Sequence, residues 1–228
     1  MKTTYLLVDL LTVSIPFAFS FHPKLKFNKN FNSFIKANIV VSLIFLAWDA
    51  IFTYIGVWGF NDKYILGLKF YHLPIEEILF FICIPFACVF TYHCSKIFIQ
   101  IKWSQKAENA FVIVLALSLF ILGVVFWEKL YTSAVFISTA ILLPTLRFYF
   151  KANWLAQFFS IYPLLLIPFF IVNGILTGTG LEQPVVYYNN AENLGLRLLT
   201  IPIEDVVYGF ELLLLNVYFY ERFKSRQA

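Results

Sequence analysis

The same acidic signature is written twice in this sequence. Leu73 to Phe81 reads L-P-I-E-E-I-L-F-F, and Ile201 to Tyr208 reads I-P-I-E-D-V-V-Y. Each copy is a proline followed two and three positions later by carboxylates, at the start of an apolar run. Carboxylic acids held among apolar and aromatic side chains suit one kind of chemistry particularly well. Burial disfavours ionisation and two nearby carboxyls share a proton, so one is kept as an acid while its neighbour stays a base. Such a pair can protonate an alkene and later remove a proton from the carbocation that results. Phe, Tyr and Trp faces attract the cation without trapping it.

Glu76 and Glu204 are the first candidates for the acid, because a carboxylate facing a bundle interior recurs in both copies, although they too could complement the helix ends. Glu77 and Asp205 stand beside the first helical turn, and two readings are open for them: partners in the chemistry, or charges that complement the positive helix end. Glu211 has no such capping role, and with the other motif glutamate it is a candidate for the base that removes the proton. It lies about 13 Å below Pro202 at about 1.5 Å per residue, and it shares a helix face with Glu204 and Tyr208. Asp9 and Asp49 also fall inside apolar runs, where an ionisable group is unfavourable and usually faces other helices. They stand either as substrate-facing groups or as structural ones bonded to amides such as Asn173. Phe80 and Tyr208, the residues that differ between the copies at one position, are expected to line the substrate. His22, His72 and His93 do not cluster. No metal-ligand set, G-x-G-x-x-G, P-loop, H-E-x-x-H or D-x-x-x-D pattern is present, so no metal or cofactor site is expected. The last apolar run contains no lysine, which excludes a retinal Schiff base.

The elements that must position these groups are membrane helices. The chain of 228 residues is 61% hydrophobic and 13% charged, with aromatics at 20% including 28 Phe. Seven stretches are long enough to span a hydrocarbon core of roughly 30 Å: Tyr5–Phe21, Phe34–Gly56, Pro74–Phe98, Ala110–Trp127, Tyr131–Phe148, Trp154–Leu176 and Pro202–Tyr220. The first has Ala18-Phe19-Ser20 in the manner of a signal-peptide cleavage site. Its internal Asp9, and a repeat mate for its Pro16, favour a mature helix. Cys83, Cys88 and Cys94 crowd into one helix and read as packing residues.

The two signatures belong to a longer duplication. The shift in numbering that carries Pro74 onto Pro202 also carries Pro16 onto Pro144, Asn61 onto Asn189, and Gly67-Leu68-Lys69 onto Gly195-Leu196-Arg197. A constant shift of this kind is a tandem repeat. The expected organisation is all-α: a first repeat at residues 1–98 (helices one to three), a linking helix within 99–130, and a second repeat at 131–228 (helices five to seven). The extra crossing makes the two three-helix repeats parallel. The segments after helices one, three and five, with the C-terminal tail, hold Lys24, Lys26, Lys29, Lys36, Lys96, Lys102, Lys106, Arg147, Lys151, Arg222, Lys224 and Arg226. The other side holds Lys2, Lys63, Lys69, Lys129 and Arg197. Twelve cations against five put the C-terminus in the cytoplasm and the N-terminus outside a cell membrane. The connections Val57–Leu73 and Thr177–Ile201 are then expected to fold over the outer mouth of the bundle.

With L-P-I-E-E and I-P-I-E-D inside duplicated membrane helices, the chain resembles the heterodimeric-type lycopene cyclases of bacteria, in a fused two-repeat form. The resemblance covers both halves and the joining helix. It implies an isomerase that closes β-ionone rings on the linear ends of lycopene, giving β-carotene by way of γ-carotene, without net redox change. Residue by residue, Glu76 and Glu77 match one acidic pair of the family and Glu204 and Asp205 the other. Tyr208 where the first copy has Phe80 is a departure, so the two sites need not be equivalent. The resemblance also implies a linear carotenoid and membrane lipid as partners, neighbouring enzymes of carotenoid biosynthesis, and no nucleic acid. No flavin is expected. A cyclase of another carotenoid (a C50 chain, or a γ or ε ring) and a non-catalytic carotenoid-binding or transport protein are the alternatives.

Overall fold

The computed structural model describes residues 2–225; Arg226, counted above with the basic tail, lies outside them. Seven α-helices make up most of it: α1 (Thr4–Phe19), α2 (Phe31–Tyr54), α3 (Ile75–Phe98), α4 (Gln105–Val125), α5 (Leu130–Pro144), α6 (Leu155–Leu176) and α7 (Ile203–Ser225). A π-helical turn, Thr145–Tyr149, continues α5 past Pro144. Five stretches are long and apolar enough to cross a membrane: Phe27–Tyr54, Ile75–Phe98, Gln105–Val125, Leu130–Tyr149 and Leu155–Leu176. This is a helical, multi-pass membrane protein. The remaining two helices depart from that standard for visible reasons. α1 has 16 residues, about 24 Å at about 1.5 Å per residue. α7 has 23 residues but carries Glu204, Asp205 and Glu211, which lower its apolarity.

Most helix ends fall within a few residues of the sequence expectation. α4 is an exception, starting at Gln105 rather than Ala110. Ser104 explains the shift: its hydroxyl accepts the Ala107 N–H at 3.2 Å and caps the helix in a polar stretch that hydropathy alone would leave as loop.

The two long connections are organised by strands, which the sequence did not announce. β1 (Trp58–Phe60) pairs antiparallel with β4 (Val186–Tyr188), so the connections are stitched to each other. Lys63 and Glu182 add an exposed ion pair between them at 2.5 Å. Each connection also folds a small hairpin: β2 (Lys69–Phe70) with β3 (Leu73–Pro74), and β5 (Arg197–Leu198) with β6 (Ile201–Pro202). Strands of two or three residues are too short to leave a periodic pattern.

The hairpins obey the same repeat relation as the acidic signatures. Gly67 and Gly195 both take positive φ, 89° and 71°, as do the hairpin-tip residues Tyr71 at 45° and Leu199 at 59°. The Ile75 N–H reaches the Leu68 carbonyl at 2.9 Å, and the Ile203 N–H reaches that of Leu196 at 3.0 Å. The ends of α1, α3, α5 and α7 that meet these connections form the strand-bearing face of the molecule. There the Tyr5 N–H donates to Tyr64 O and the Tyr131 N–H to Glu192 O. At the opposite face Lys96 pairs with Glu221 at 2.8 Å.

The interior is dominated by aromatic side chains. Phe27 is fully buried and its ring lies 5.2–6.3 Å from those of Phe31, Phe34, Phe86, Phe90 and His93. His93 is a satisfied core residue, bonded to the Tyr220 hydroxyl at 3.0 Å and to Leu25 O at 2.8 Å. The three cysteines are free.

Candidate active site

A cavity of about 540 Å³ lies beneath the β1–β4 ribbon, between α1, α3, α6 and α7. Its walls are largely apolar, and three carboxylic acids reach it: Asp49 from α2, Glu77 from α3 and Asp205 from α7. All three are buried. Each is held by donors from another element rather than by its own helix end. The Tyr5 hydroxyl donates to Glu77 Oε2 at 2.5 Å, and the Trp58 indole N–H to Asp49 Oδ1 at 2.5 Å. Asp205 receives the Tyr131 hydroxyl on Oδ1 at 2.7 Å. Its Oδ2 takes the Tyr188 hydroxyl at 2.8 Å and the Asn173 amide at 3.4 Å. Tyr188 belongs to the connection, outside the helices. Burial first, and then the Asp205 carboxylate, hold its phenol well above the usual tyrosine range, so it remains a donor.

Asp49 and Glu77 also meet each other. The two carboxyls are close enough to repel each other as charges, both line the one cavity, and Asp49 Oδ2 has no hydrogen-bond partner among the described residues. Two neighbouring carboxyls in an apolar surrounding disfavour both being ionised, which makes the pair a place where a proton can be kept.

Glu76 and Glu204 sit elsewhere. Both are fully buried, and neither lines the cavity. Glu76 Oε1 accepts the Leu66 N–H at 2.7 Å, and Glu204 Oε1 accepts the Leu194 N–H at 2.8 Å together with the Thr132 hydroxyl at 2.6 Å. Leu66 and Leu194 are themselves repeat mates, so both copies use this glutamate to tie the hairpin connection to the helix start. Glu211 lies off the cavity too, receiving Ser138 at 2.6 Å and Thr139 at 2.9 Å on one oxygen. Asp9 is fully buried beside Glu76, and neither of its oxygens has a donor among the described residues.

The cavity does gather Phe80, Tyr208 and Asn173. Asn173 serves Asp205 rather than Asp9 or Asp49. The Tyr208 ring stands at the centre of an aromatic cluster, 5.1 Å from Phe45, 5.5 Å from Trp48, and 6.2 Å from both Trp58 and Tyr131. Its hydroxyl is buried with no hydrogen-bond partner among the described residues. Faces of this kind can stabilise a transient cation in the chamber.

Tyr5, Tyr131, Tyr188 and Trp58 are site residues that the sequence did not single out. Tyr5 and Tyr131 play matching parts, but the repeat shift carries Tyr5 onto Ser133, so aligning the copies does not pair the two tyrosines. Tyr188 and Trp58 come from the connections, which show no helical register.

A protein-family model described as lycopene cyclase matches residues 2–95 and 128–223. Searches of curated proteins and of solved structures return no match. The two matched segments cover both acidic signatures and every helix except α4. On that evidence the chain belongs to the lycopene cyclase family, enzymes of carotenoid biosynthesis that close rings on a linear carotenoid without net redox change.

Proposed function

We propose that the protein is a lycopene β-cyclase converting lycopene to β-carotene by way of γ-carotene, with the chemistry carried by Glu77, Asp49 and Asp205. The observation that supports this most is the convergence of these three carboxyls, from three helices, on one apolar cavity. The Asp49–Glu77 pair supplies the acid. Its proton goes to the terminal double bond of the substrate and leaves a tertiary cation. The electrons of the neighbouring trisubstituted alkene form the ring-closing carbon–carbon bond, which moves the positive charge onto a ring carbon. Loss of a proton from the adjacent ring carbon then creates the β double bond. Asp205 receives that proton, with Tyr131 and Tyr188 bonded to it. One proton enters and one leaves, so substrate and product are isomers. General acid–base steps contribute typically ~10²–10⁴-fold each. Positioning of the folded chain end against Phe80, Tyr208 and Trp58 adds to this.

In this reading Glu76 and Glu204 hold the connections that roof the chamber, and exchange no proton with substrate. All seven helices cross the membrane as two parallel three-helix repeats, residues 1–98 and 131–228, with the 99–130 helix between them. The strand-bearing face is extracytoplasmic, as the twelve-to-five distribution of Lys and Arg favours. The test is expression in a lycopene-producing host, with pigments separated by chromatography. γ-Carotene followed by β-carotene is the expected result. Unchanged lycopene in the presence of folded protein would rule out the cyclase reading, and a γ- or ε-ring product would rule out the β assignment.

A further inference from the structure

The two repeats differ in one seam. Under the repeat relation, α2 against α7 corresponds to α6 against α3. α2 follows α7 along its length: Asn38 meets Asn216 at 3.3 Å near one end. Phe45 packs on Phe81 and Leu212 in the middle, and Trp48 meets Tyr208 near the other end. α6 meets α3 at the opposite face, where the Gln157 amide donates to Ser95 Oγ and Ile99 O, both at 3.0 Å. From there toward the strand-bearing face the cavity lies between them, with Ile84, Ala87 and Cys88 on one wall and Leu165, Phe169 and Val172 on the other.

A single repeat pair accounts for much of the difference. Phe81 and Gly209 are mates under the shift that pairs Pro74 with Pro202. Phe81 is 1% exposed and fills the α2 side. Gly209 has no side chain and borders the cavity.

The open seam reaches the outside of the bundle. Leu11 and Ile15 of α1 and Ile171 of α6 line the cavity, and are also 69%, 67% and 61% exposed. The cavity is not fully enclosed, and these exposed lining residues place its open side between α1 and α6. The rim is apolar, as a mouth facing hydrocarbon must be. The acids lie at the other, roofed end. On α6 the lining runs from Tyr162 to Leu176, about 21 Å at about 1.5 Å per residue. That length suits an extended chain rather than a compact ligand.

We propose that the gap between α1 and α6 is the substrate port. The end group of a linear carotenoid sits under the β1–β4 ribbon, and its unreacted polyene lies along α3 and leaves sideways into the membrane. One chamber then holds one chain end at a time, and a second ring forms only after the half-cyclised product has withdrawn, turned and re-entered. This rests on the cyclase reading above.

Ile15→Trp and Ile171→Trp narrow the mouth without touching an acid. Leu117→Trp, on α4 at a site 56% exposed and away from the cavity, is the control for a bulky lipid-facing substitution. Initial rates are measured in phosphatidylcholine vesicles with increasing lycopene, normalised to folded protein. The two port variants should raise KM at least about tenfold while kcat stays within about twofold. Leu117→Trp should match the wild type. Port variants with wild-type KM, or with kcat lost at unchanged KM, would overturn the port. A wild type that leaves lycopene unchanged would overturn the cyclase reading and the port with it.

Discussion

Glu76 and Glu77 are adjacent in sequence and part company at the first turn of α3. Glu76 turns to the connection and accepts the Leu66 N–H at 2.7 Å, while Glu77 turns to the cavity and accepts the Tyr5 hydroxyl at 2.5 Å. Successive side chains on a helix leave its axis about 100° apart, so an acidic pair can serve two partners at once. Glu204 and Asp205 divide the same way, toward Leu194 and toward Tyr131 with Tyr188.

Stability should separate the anchoring glutamates by substitution. Gln keeps an oxygen to accept the Leu66 or Leu194 N–H, so Glu76→Gln and Glu204→Gln should unfold near the wild type. Glu76→Ala and Glu204→Ala leave a backbone donor unpaired and should lose about 1–3 kcal/mol each. Thermal unfolding in detergent measures both sets. Equal stability of the Gln and Ala variants would show that the oxygens anchor nothing.

Gly209 sets the width of the chamber. A Cβ there would come 3.3 Å from Phe169 and 3.9 Å from the Tyr162 hydroxyl. Gly209→Ala should fold close to the wild type, the gain of up to about 1 kcal/mol for alanine in a helix interior being offset by the shift that the 3.3 Å approach asks of the Phe169 ring. Gly209→Leu fills the cavity and should reduce turnover by about tenfold or more while the protein remains folded. Rates per folded protein for the three side chains check the order Gly, Ala, Leu. Full activity in Gly209→Leu would mean that substrate does not pass α7 here.

Glu211 distinguishes a buried structural acid from a reacting one. It accepts two hydroxyls on one oxygen and lies off the cavity. Glu211→Gln should therefore keep activity within about threefold of wild type, well short of the ~10²–10⁴-fold expected for a proton-exchanging group. A loss in that larger range would return Glu211 to the mechanism.

Membrane orientation is open to direct test. A reporter fused after Ala228 should give the cytoplasmic signal, and one inserted between Asn61 and Asp62 the extracytoplasmic signal. The opposite pair of signals would reverse the orientation and leave the chemistry untouched.

Much of this was legible in the residues. Long apolar runs located the helices, because a hydrocarbon core demands length and continuity. The constant repeat shift located both acidic signatures, and the hairpins after Gly67 and Gly195 obey it down to single hydrogen bonds. What a linear reading could not decide was which of two adjacent carboxylates faces inward. That depends on where Leu66, Tyr5 and Tyr131 arrive in space, and on a register between the first helices of the repeats that slips relative to the rest. The β1–β4 ribbon was hidden for another reason. Its pairing partners, Trp58 with Tyr188 and Phe60 with Val186, are not repeat mates and are set only when the halves close on each other.

The most direct measurement is product formation by four conservative variants, Glu77→Gln, Asp205→Asn, Glu76→Gln and Glu204→Gln, each normalised to folded protein. Gln and Asn preserve size and hydrogen-bonding oxygens but cannot exchange a proton of comparable acidity. Ring formation from lycopene should fall by ~10²–10⁴-fold in Glu77→Gln and Asp205→Asn, and stay within about threefold of wild type in Glu76→Gln and Glu204→Gln. The reverse pattern, with Glu77→Gln and Asp205→Asn active and Glu76→Gln and Glu204→Gln dead, would contradict the placement of the chemistry in this cavity.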